Sequence, residues 1–428
     1  MKSPATQSVL SRTQWSVLSL LVVSVCINYI DRGNLSVAAP FLASDLHLNK
    51  TELGALLSSF FGTYAAFQIV AGALVERYDV RWVYGAGFFI WSAATALTGI
   101  AGSFGSIFAL RLVLGVGESA AYPAYSRIIA RSFPETKRGL ANAWVDAGSK
   151  CGPAIGTLVG GLLINAYGWR ALFIALGLGS LVWLAPWAVW GPRIEGSDRK
   201  GSEYSPGFTE ILAKRDAWGT FLGLFCVNYT WYFLLAWLPA YLVMERHFST
   251  EMMAVLGSLP FWGIALSSLT GGWASDRWIA QGGNPTRVRK TFVAGGMLLT
   301  TLILPAAIVR DPRLCIALLI FASLSFGLFT SNIWAITQTL AGPSASGKWT
   351  GWQNMFGNIG GIVAPYVTGL IVDKTGQFLL AFVGACIALV LGAIAYLGIV
   401  GEVKPACWRD QSATAVLQSA SEGRESAH

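Results

Sequence analysis

The stretch "WSVLSLLVVSVCINYIDRGNLSVAAPFL", residues 15–42, is apolar enough and long enough to cross a bilayer, yet carries an acid beside a base, Asp31 and Arg32. At ~1.5 Å per residue, about 20 apolar residues cover the ~30 Å of hydrocarbon in a membrane. Eleven more stretches of this character follow, near 53–75, 82–101, 104–126, 139–165, 169–190, 217–243, 252–274, 289–308, 313–337, 347–372 and 376–399. The whole chain of 428 residues is 54% hydrophobic and 12% charged, about half the charge content of an ordinary soluble domain. These observations predict an all-α membrane protein of twelve transmembrane helices. The first stretch lacks a short apolar core followed by a small-residue cleavage site, so it is read as a retained helix.

The formal net charge of +8 has a topological explanation that needs no nucleic-acid partner. Of 30 Lys and Arg, three (Arg32, Arg111 and Lys150) fall inside spans, and six (Lys50, Arg170, Arg246, Arg310, Arg313 and Lys374) fall in loops on one side. The other 21 lie in the tails and the opposite loops. An excess of basic loops marks the cytoplasmic side, which places both termini in the cytoplasm. The six cysteines show no metal or disulfide spacing. Of the three histidines, His47 and His247 fall in loops and His428 is terminal, so no embedded triad or metal cluster supports an enzyme. No cofactor and no metal are expected.

The least hydrophobic interior stretch, "GPRIEGSDRKGSEYSPGFTEILAKRD" at 191–216, divides the spans into six and six. The expected organisation is a six-helix bundle over 1–190, a cytoplasmic linker over 191–216, a second bundle over 217–400, and a polar, disordered cytoplasmic tail over 401–428. The halves echo each other: "GALVER" at 72–77 precedes "GWASDR" at 272–277 by 200 residues, and "NY" recurs at 28–29 and 228–229. Gly148, Gly152, Gly156 and Gly160 are answered by Gly357, Gly361, Pro365 and Gly369. Small residues four apart line one helix face and permit close approach to a neighbour. Such duplication is the trace of transporter halves related by an axis along the membrane normal.

Six ionisable residues lie well inside spans: Asp31, Arg32, Arg111, Glu118, Asp146 and Lys150. Each would cost about 2.5–3.5 kcal/mol at the bilayer centre even on the lenient insertion scale, so they should face a cavity or one another. Counting from the span ends places Arg32 and Arg111 in one layer, with Glu118 two turns from Arg111 on the same face and ~10 Å deeper. Two guanidiniums suit bidentate recognition of a carboxylate or phosphate, while Asp31 and Glu118 can titrate. The bland alternative makes Asp31–Arg111 and similar pairs fixed clamps between helices. Asp146 and Lys150, one turn apart, either neutralise each other or offer Lys150 to a second anionic or hydroxyl group of a substrate. The second half drops these charges: "NYIDR" becomes "NYTWY", and "TSNIWAITQ" and "GWQNMFGN" bring hydroxyls, amides and tryptophans into spans. Such groups suit a polyhydroxylated ligand.

"GALVERYDVR" and "GGWASDR" resemble the loop motif of the major facilitator superfamily, which implies a gating role for Gly72, Glu76, Arg81, Asp276 and Arg277. The first copy departs from the motif, with Glu76 at its acidic position. "NYIDRGNLSVAAPFL", "TYAAFQIVAG", "RLVLGVGESAAYPAYSRIIARSFPETKRGLANA" and "WLPAYL" are similar to the anion:cation symporter family, which includes bacterial sugar-acid transporters, sialin and vesicular glutamate transporters. The resemblance implies two pseudo-symmetric six-helix bundles in the major facilitator fold. It also implies proton handling by Asp31 and Glu118, carboxylate binding by Arg32, and a charge-partner role for Arg111. Tyr29 and Tyr64 would line the cavity, and Ser331, Trp334 and Asn354 would face the sugar. The galactonate-type pattern of that family lacks the Asp146–Lys150 pair.

The expected activity is proton-coupled symport of an organic anion, a sugar acid (aldonate, aldarate or hexuronate), by alternating access. The alternative is an exchanger or facilitator for a dicarboxylate or phosphorylated solute. A sensor would need a soluble signalling domain, which neither linker nor tail supplies. The expected setting is a bacterial inner membrane, with the lipid bilayer, the anion and protons as the only partners of a monomer.

Overall fold

The computed structural model describes residues 10–133, 135–194 and 206–408. They form α1 (Arg12–Asp45), α2 (Lys50–Arg77), α3 (Val80–Thr98), α4 (Phe104–Glu118), α5 (Ala121–Ser132), α6 (Glu135–Leu181) and α7 (Leu184–Trp190) in the first half. The second half holds α8 (Phe208–Leu212), α9 (Arg215–Met244), α10 (Thr250–Ala280), α11 (Pro285–Thr300), α12 (Ile303–Ile308), α13 (Pro312–Thr375) and α14 (Leu379–Ile394), with a π-helical turn at Ala395–Ile399. Among the described residues, nine helical stretches are long and apolar enough to cross a membrane. One of these, Ala141–Trp190, holds two crossings that turn at Gly168, and α13 likewise turns at Gly342. Both glycines have positive φ, 81° and 65°, a backbone state that a side chain disfavours. With α2 and α3, 28 and 19 residues long, the crossings number twelve, in the two bundles of the major facilitator fold.

Packing between the halves is itself symmetric. α2 meets the end of α13, α6 meets α10, and α1 meets α9; exchanging the halves maps the first two contacts onto each other and the third onto itself. Within the first half, the α6 glycines rest on α1: a methyl group at Gly148 would come within 2.7 Å of Val25 Cγ1, and one at Gly152 within 2.6 Å of Tyr29 Cβ. The second set behaves differently. Gly357 packs on Leu224 of α9, but Gly361 faces Phe61 of α2, and Gly360 is the residue that meets the Tyr229 backbone of α9. The repeat therefore serves two contacts in the second half, because Gly360 beside Gly361 lets one helix approach two neighbours.

The hydrogen bonds that join described residues of the two halves all lie at one end, where α1 finishes and α2 begins. Asp373 of α13 accepts from the amides of Lys50, at 2.7 Å, and Thr51, at 2.6 Å, and from the Thr51 hydroxyl. Asn49 serves the next amide, Glu52, at 2.7 Å. The free N–H groups of the first turn of α2 are thus capped jointly by its own Asn49 and by the opposite half. Ser58 donates to Ile362 O at 2.8 Å about two turns further along α2.

The linker 191–216 lies partly outside the described residues, as does the tail beyond 408. The tail does not lose order at 401, however. Ala406 N donates to Leu340 O at 2.8 Å, and Trp408, 2% exposed, donates to Ala341 O at 3.2 Å. Burying an indole with its N–H satisfied, together with Val403, offsets the ordering of the eight residues 401–408.

Replacing Asp373 with Ala is expected to speed amide hydrogen exchange over residues 50–55 by several-fold, since losing a cap costs about 0.5–2 kcal/mol. Unchanged exchange would mean that the glycine-lined seam alone holds this end shut.

Candidate functional site

Arg32 lies well inside α1, and its guanidinium enters a cage of rings. Its Cζ lies 4.8 Å from the centroid of Tyr29, 4.9 Å from Phe60 and 4.5 Å from Tyr64. The residue is 5% exposed. Aromatic faces attract a desolvated cation by ~2 kcal/mol or more each, so three rings partly replace the water that burial removes. Tyr29 is held from behind by Gly152 and shares a hydrogen bond with Tyr122, 3.2 Å between hydroxyls. Nε of Arg32 donates to Oε2 of Glu118 at 2.8 Å. Glu118 sits where α4 ends, is fully buried, and keeps Oε1 without a hydrogen-bond partner.

This pairing crosses the layers read from the sequence. Depth counted on Cα atoms puts Glu118 about two turns below the Arg32–Arg111 layer, and the clamp alternative paired Asp31 with Arg111. A long side chain on a helix points back toward the helix N-terminus, so Arg32 reaches down to the level of Glu118. Among the described residues, no ion pair joins Asp31 to Arg111. Asp31, 1% exposed, accepts from the Asn34 amide at 3.1 Å and has no partner at Oδ2. Asp31 lies near Trp91 and Thr95 of α3, within the first bundle.

Arg111, 3% exposed, lies 5.4 Å from the same Phe60 ring. Its Nε and Nη2 of Arg32 lack hydrogen-bond partners. Both arginines line one small cavity with Ser36, Leu57, Phe60 and Phe61 from the first half and Tyr232, Leu235 and Ala236 from α9. Phe61 and Tyr232 meet edge to face at 4.4 Å across the seam, and the Tyr232 hydroxyl donates to Asn358 at 3.2 Å. The cavity has room for about one water, so a planar anion reaches these buried guanidinium donors, the strongest class of hydrogen-bond donor, only once the halves part.

The remaining expected residues are dispersed. Lys150, its side chain 18% exposed, holds its ammonium 5.3 Å from the Trp231 ring of α9 and 3.9 Å from Asp146. Trp334 and Asn354 are half-buried and line no wall of the arginine cavity, and Ser331 lies against Gly272 within the second bundle. Asn332 accepts from Arg289 at 2.9 Å, while Gln353 accepts from Thr337 at 2.7 Å and donates to Thr220 O at 3.3 Å. In the gating motifs, Asp276 pairs with Arg289 at 2.5 Å, and Arg277 lies over Trp273. In the first copy, Gly72 is half-buried, the Arg81 amide donates to Asp79, and the Glu76 side chain lies outside the described residues.

The sequence model of the Major Facilitator Superfamily matches residues 21–365 and again 245–422. The chain belongs to that superfamily. A probable galactarate/D-glucarate transporter of Escherichia coli strain K12 is 30% identical over 438 residues, covering 94% of this chain and 97% of that protein. A D-galactonate transporter of Escherichia coli O6:H1 is 28% identical over 429 residues, covering 94% and 99%. A bacterial homologue of the human lysosomal transporter Spinster, crystallised in an inward-facing, occupied conformation, shares the fold. It has a TM-score of 0.76 at 18% identity, with 91% of this chain and 97% of that one covered. The resemblance read from the motifs therefore holds: this is an integral membrane transporter whose relatives carry sugar acids.

Within this superfamily fold, sequence reasoning missed Phe60, Phe61 and Tyr232 as walls of the cavity. The signal for Tyr232 was present, since it closes the "NYTWY" stretch that replaces "NYIDR". Phe60 and Phe61 carry no charge, and in an apolar span nothing separates a cage aromatic from a lipid-facing one. Glu118→Ala should destabilise the purified protein by roughly 3–5 kcal/mol, because Arg32 would be buried unpaired, with Glu118→Gln milder. Wild-type thermal unfolding of the Ala variant would show that the ring cage alone holds Arg32.

Proposed function

We propose that the protein is a proton-coupled symporter of a sugar acid, with Arg32 and Arg111 holding the substrate carboxylate and Glu118 and Asp31 exchanging the proton. The observation that carries this reading is the unfinished pairing of Arg32. Its Nε is engaged by Glu118, while its Nη2 and the Nε of Arg111 are unpartnered beside a cavity between the halves. A substrate carboxylate taking up those donors competes with Glu118 for the same guanidinium. Glu118, buried and deprived of its cation, is then neutralised by a proton, since an isolated carboxylate in a dry site is costly. Anion binding and proton binding become mutually favourable. Asp31, three residues from Asn34 and inside the first bundle, is placed to pass the proton on without touching substrate. Tyr29 and Tyr64 orient Arg32, and Ser331, Trp334 and Asn354 meet the hydroxylated end as the halves rearrange.

Alternating access is supported by the seam. The bundles, residues 1–190 and 217–400, are joined by hydrogen bonds only toward the Asp373 end among the described residues, so rocking them apart breaks that cap, the Ser58–Ile362 bond and the ring and glycine contacts of the seam. The loop-charge bias and the bacterial relatives support a bacterial inner membrane with both termini cytoplasmic, which makes the joined end the outer one and the gating motifs cytoplasmic. One chain supplies both walls of the path, so a monomer suffices.

Proteoliposomes test this. With an inward proton gradient, the wild type should accumulate an aldonate, aldarate or hexuronate above its outside concentration. Arg32→Ala should abolish binding. Glu118→Gln should bind and exchange substrate yet lose gradient-driven accumulation. Uptake indifferent to the gradient for every acid transported would reassign the protein as an exchanger or facilitator.

A further inference from the structure

Resting on that reading, we propose that Lys150 is a second anion subsite, so that the preferred substrate carries an acidic group at each end, as an aldarate does.

Of the three cations that the sequence places inside spans, Lys150 alone belongs neither to the aromatic cage nor to the arginine cavity. It lies at the level of Gly148 and Gly152, the two glycines that bring α6 against α1, and leaves the helix on the side away from them. Its ammonium crosses the seam to the face of Trp231 in the other half, 5.3 Å from the ring centroid. The neighbouring α9 residue, Tyr232, is a wall of the arginine cavity. Adjacent residues of one helix thus meet the two cationic positions.

Its pairing is incomplete. Asp146 is 3.9 Å away, the outer limit of an ion pair, and its side chain is 57% exposed whereas that of Lys150 is 18% exposed. An ammonium carries three donors, and a long contact to a solvated acid contributes little. The Trp231 face attracts the cation but accepts no conventional hydrogen bond. An incoming carboxylate would supply what both leave unmet.

The spacing fits a six-carbon di-acid. α6 and α1 run parallel here: Gly148 meets Val22 and Val25, Gly152 meets Cys26 and Tyr29, and Gly156 meets Ile30. Lys150 therefore aligns with α1 about six residues before Arg32, an axial offset of roughly 9 Å at 1.5 Å per residue. Both side chains lean toward their helix N-termini, which preserves the offset. With bonds of ~1.5 Å in a zigzag, the carboxyl carbons of an extended six-carbon di-acid lie about 6 Å apart. With a charge-assisted contact of ~2.8 Å at each end, the di-acid reaches about 11–12 Å, which spans the axial offset and leaves about 7 Å for displacement across the helices. The end group of an aldonate is a neutral hydroxyl and would leave Lys150 as it stands.

The test uses the full chain in proteoliposomes with gluconate, glucuronate and glucarate, which share their hydroxyl configurations and differ in the number of acid groups. The wild type should take up glucarate with kcat/KM roughly tenfold or more above gluconate. Lys150→Gln should erase that preference through a higher KM for glucarate, leave gluconate and glucuronate within about twofold, and Lys150→Arg should restore it. A wild type that transports the mono-acids with no preference for glucarate overturns the second subsite and leaves the sugar-acid reading intact. Equal losses for all three acids in Lys150→Gln also overturn it, marking Lys150 as structural. If none of the three is transported or raises the melting temperature of the wild type, the sugar-acid reading itself fails and the subsite with it.

Discussion

A guanidinium buried in the middle of a membrane protein has to be neutralised, and the way Arg32 is neutralised organises everything around it. Arginine does not give up its proton to escape burial, so the chain must supply partners. It supplies one carboxylate oxygen, from Glu118 at 2.8 Å, and three aromatic faces. That set falls short of full satisfaction, since Nη2 of Arg32 and Oε1 of Glu118 have no hydrogen-bond partner. Buried ion pairs seldom add net stability over apolar packing, and one left half-satisfied adds less still. A structural clamp would close the network; a binding site leaves donors for its ligand.

The placement of that pair depends on residues with no chemistry of their own. α3 and α4 cross where Gly87 faces Gly117, so closely that a methyl group at Gly117 would come within 2.7 Å of the Trp91 amide. Glu118 is the next residue, so its depth is fixed by a glycine contact. On the other side, Gly152 sets the position of Tyr29, and Tyr29 stacks on Arg32. Small residues thus act as spacers that bring an acid from α4 and a ring from α1 to the same guanidinium. Close packing makes such positions sensitive to a single added carbon.

Span number, the two halves and the intramembrane charges were all legible in the sequence, because hydropathy, duplication and misplaced charge are local signals. Pairing was not. The sequence put Asp31 next to Arg32 and left Asp31–Arg111 open as a clamp, but neighbours in a helix point about 100° apart, and Asp31 turns toward Trp91 and Thr95 of the first bundle while Arg32 turns to the seam. The polar set of the second half was legible as a set and misleading residue by residue: Asn332 and Gln353 are taken up by Arg289, Thr337 and Thr220. An amide in a span looks the same in sequence whether it faces a neighbouring helix or a ligand, and only the position of its partner separates the two.

The asymmetry between the halves has a consequence for how the protein would work. The fixed intramembrane charges lie in α1, α4 and α6, and the second half meets them with Trp231 and Tyr232. Its own buried-to-exposed ion pair, Asp276–Arg289, lies away from this centre at the end of α10. If both halves carried charge at the seam, rocking them apart would separate opposite charges in a low dielectric, at a cost that grows steeply as water is excluded. A neutral aromatic face can instead slide over a charged one, because edge-to-face and cation–π contacts are weak and tolerant of displacement. On the proposed reading, the substrate's acid group and the proton are both held by the first half, while the second half, which meets the hydroxylated end, opens and closes over them. Coupling then rests on the Arg32–Glu118 pair, with Asp31 relaying the proton, and these charges stay on one side of the seam as the halves move.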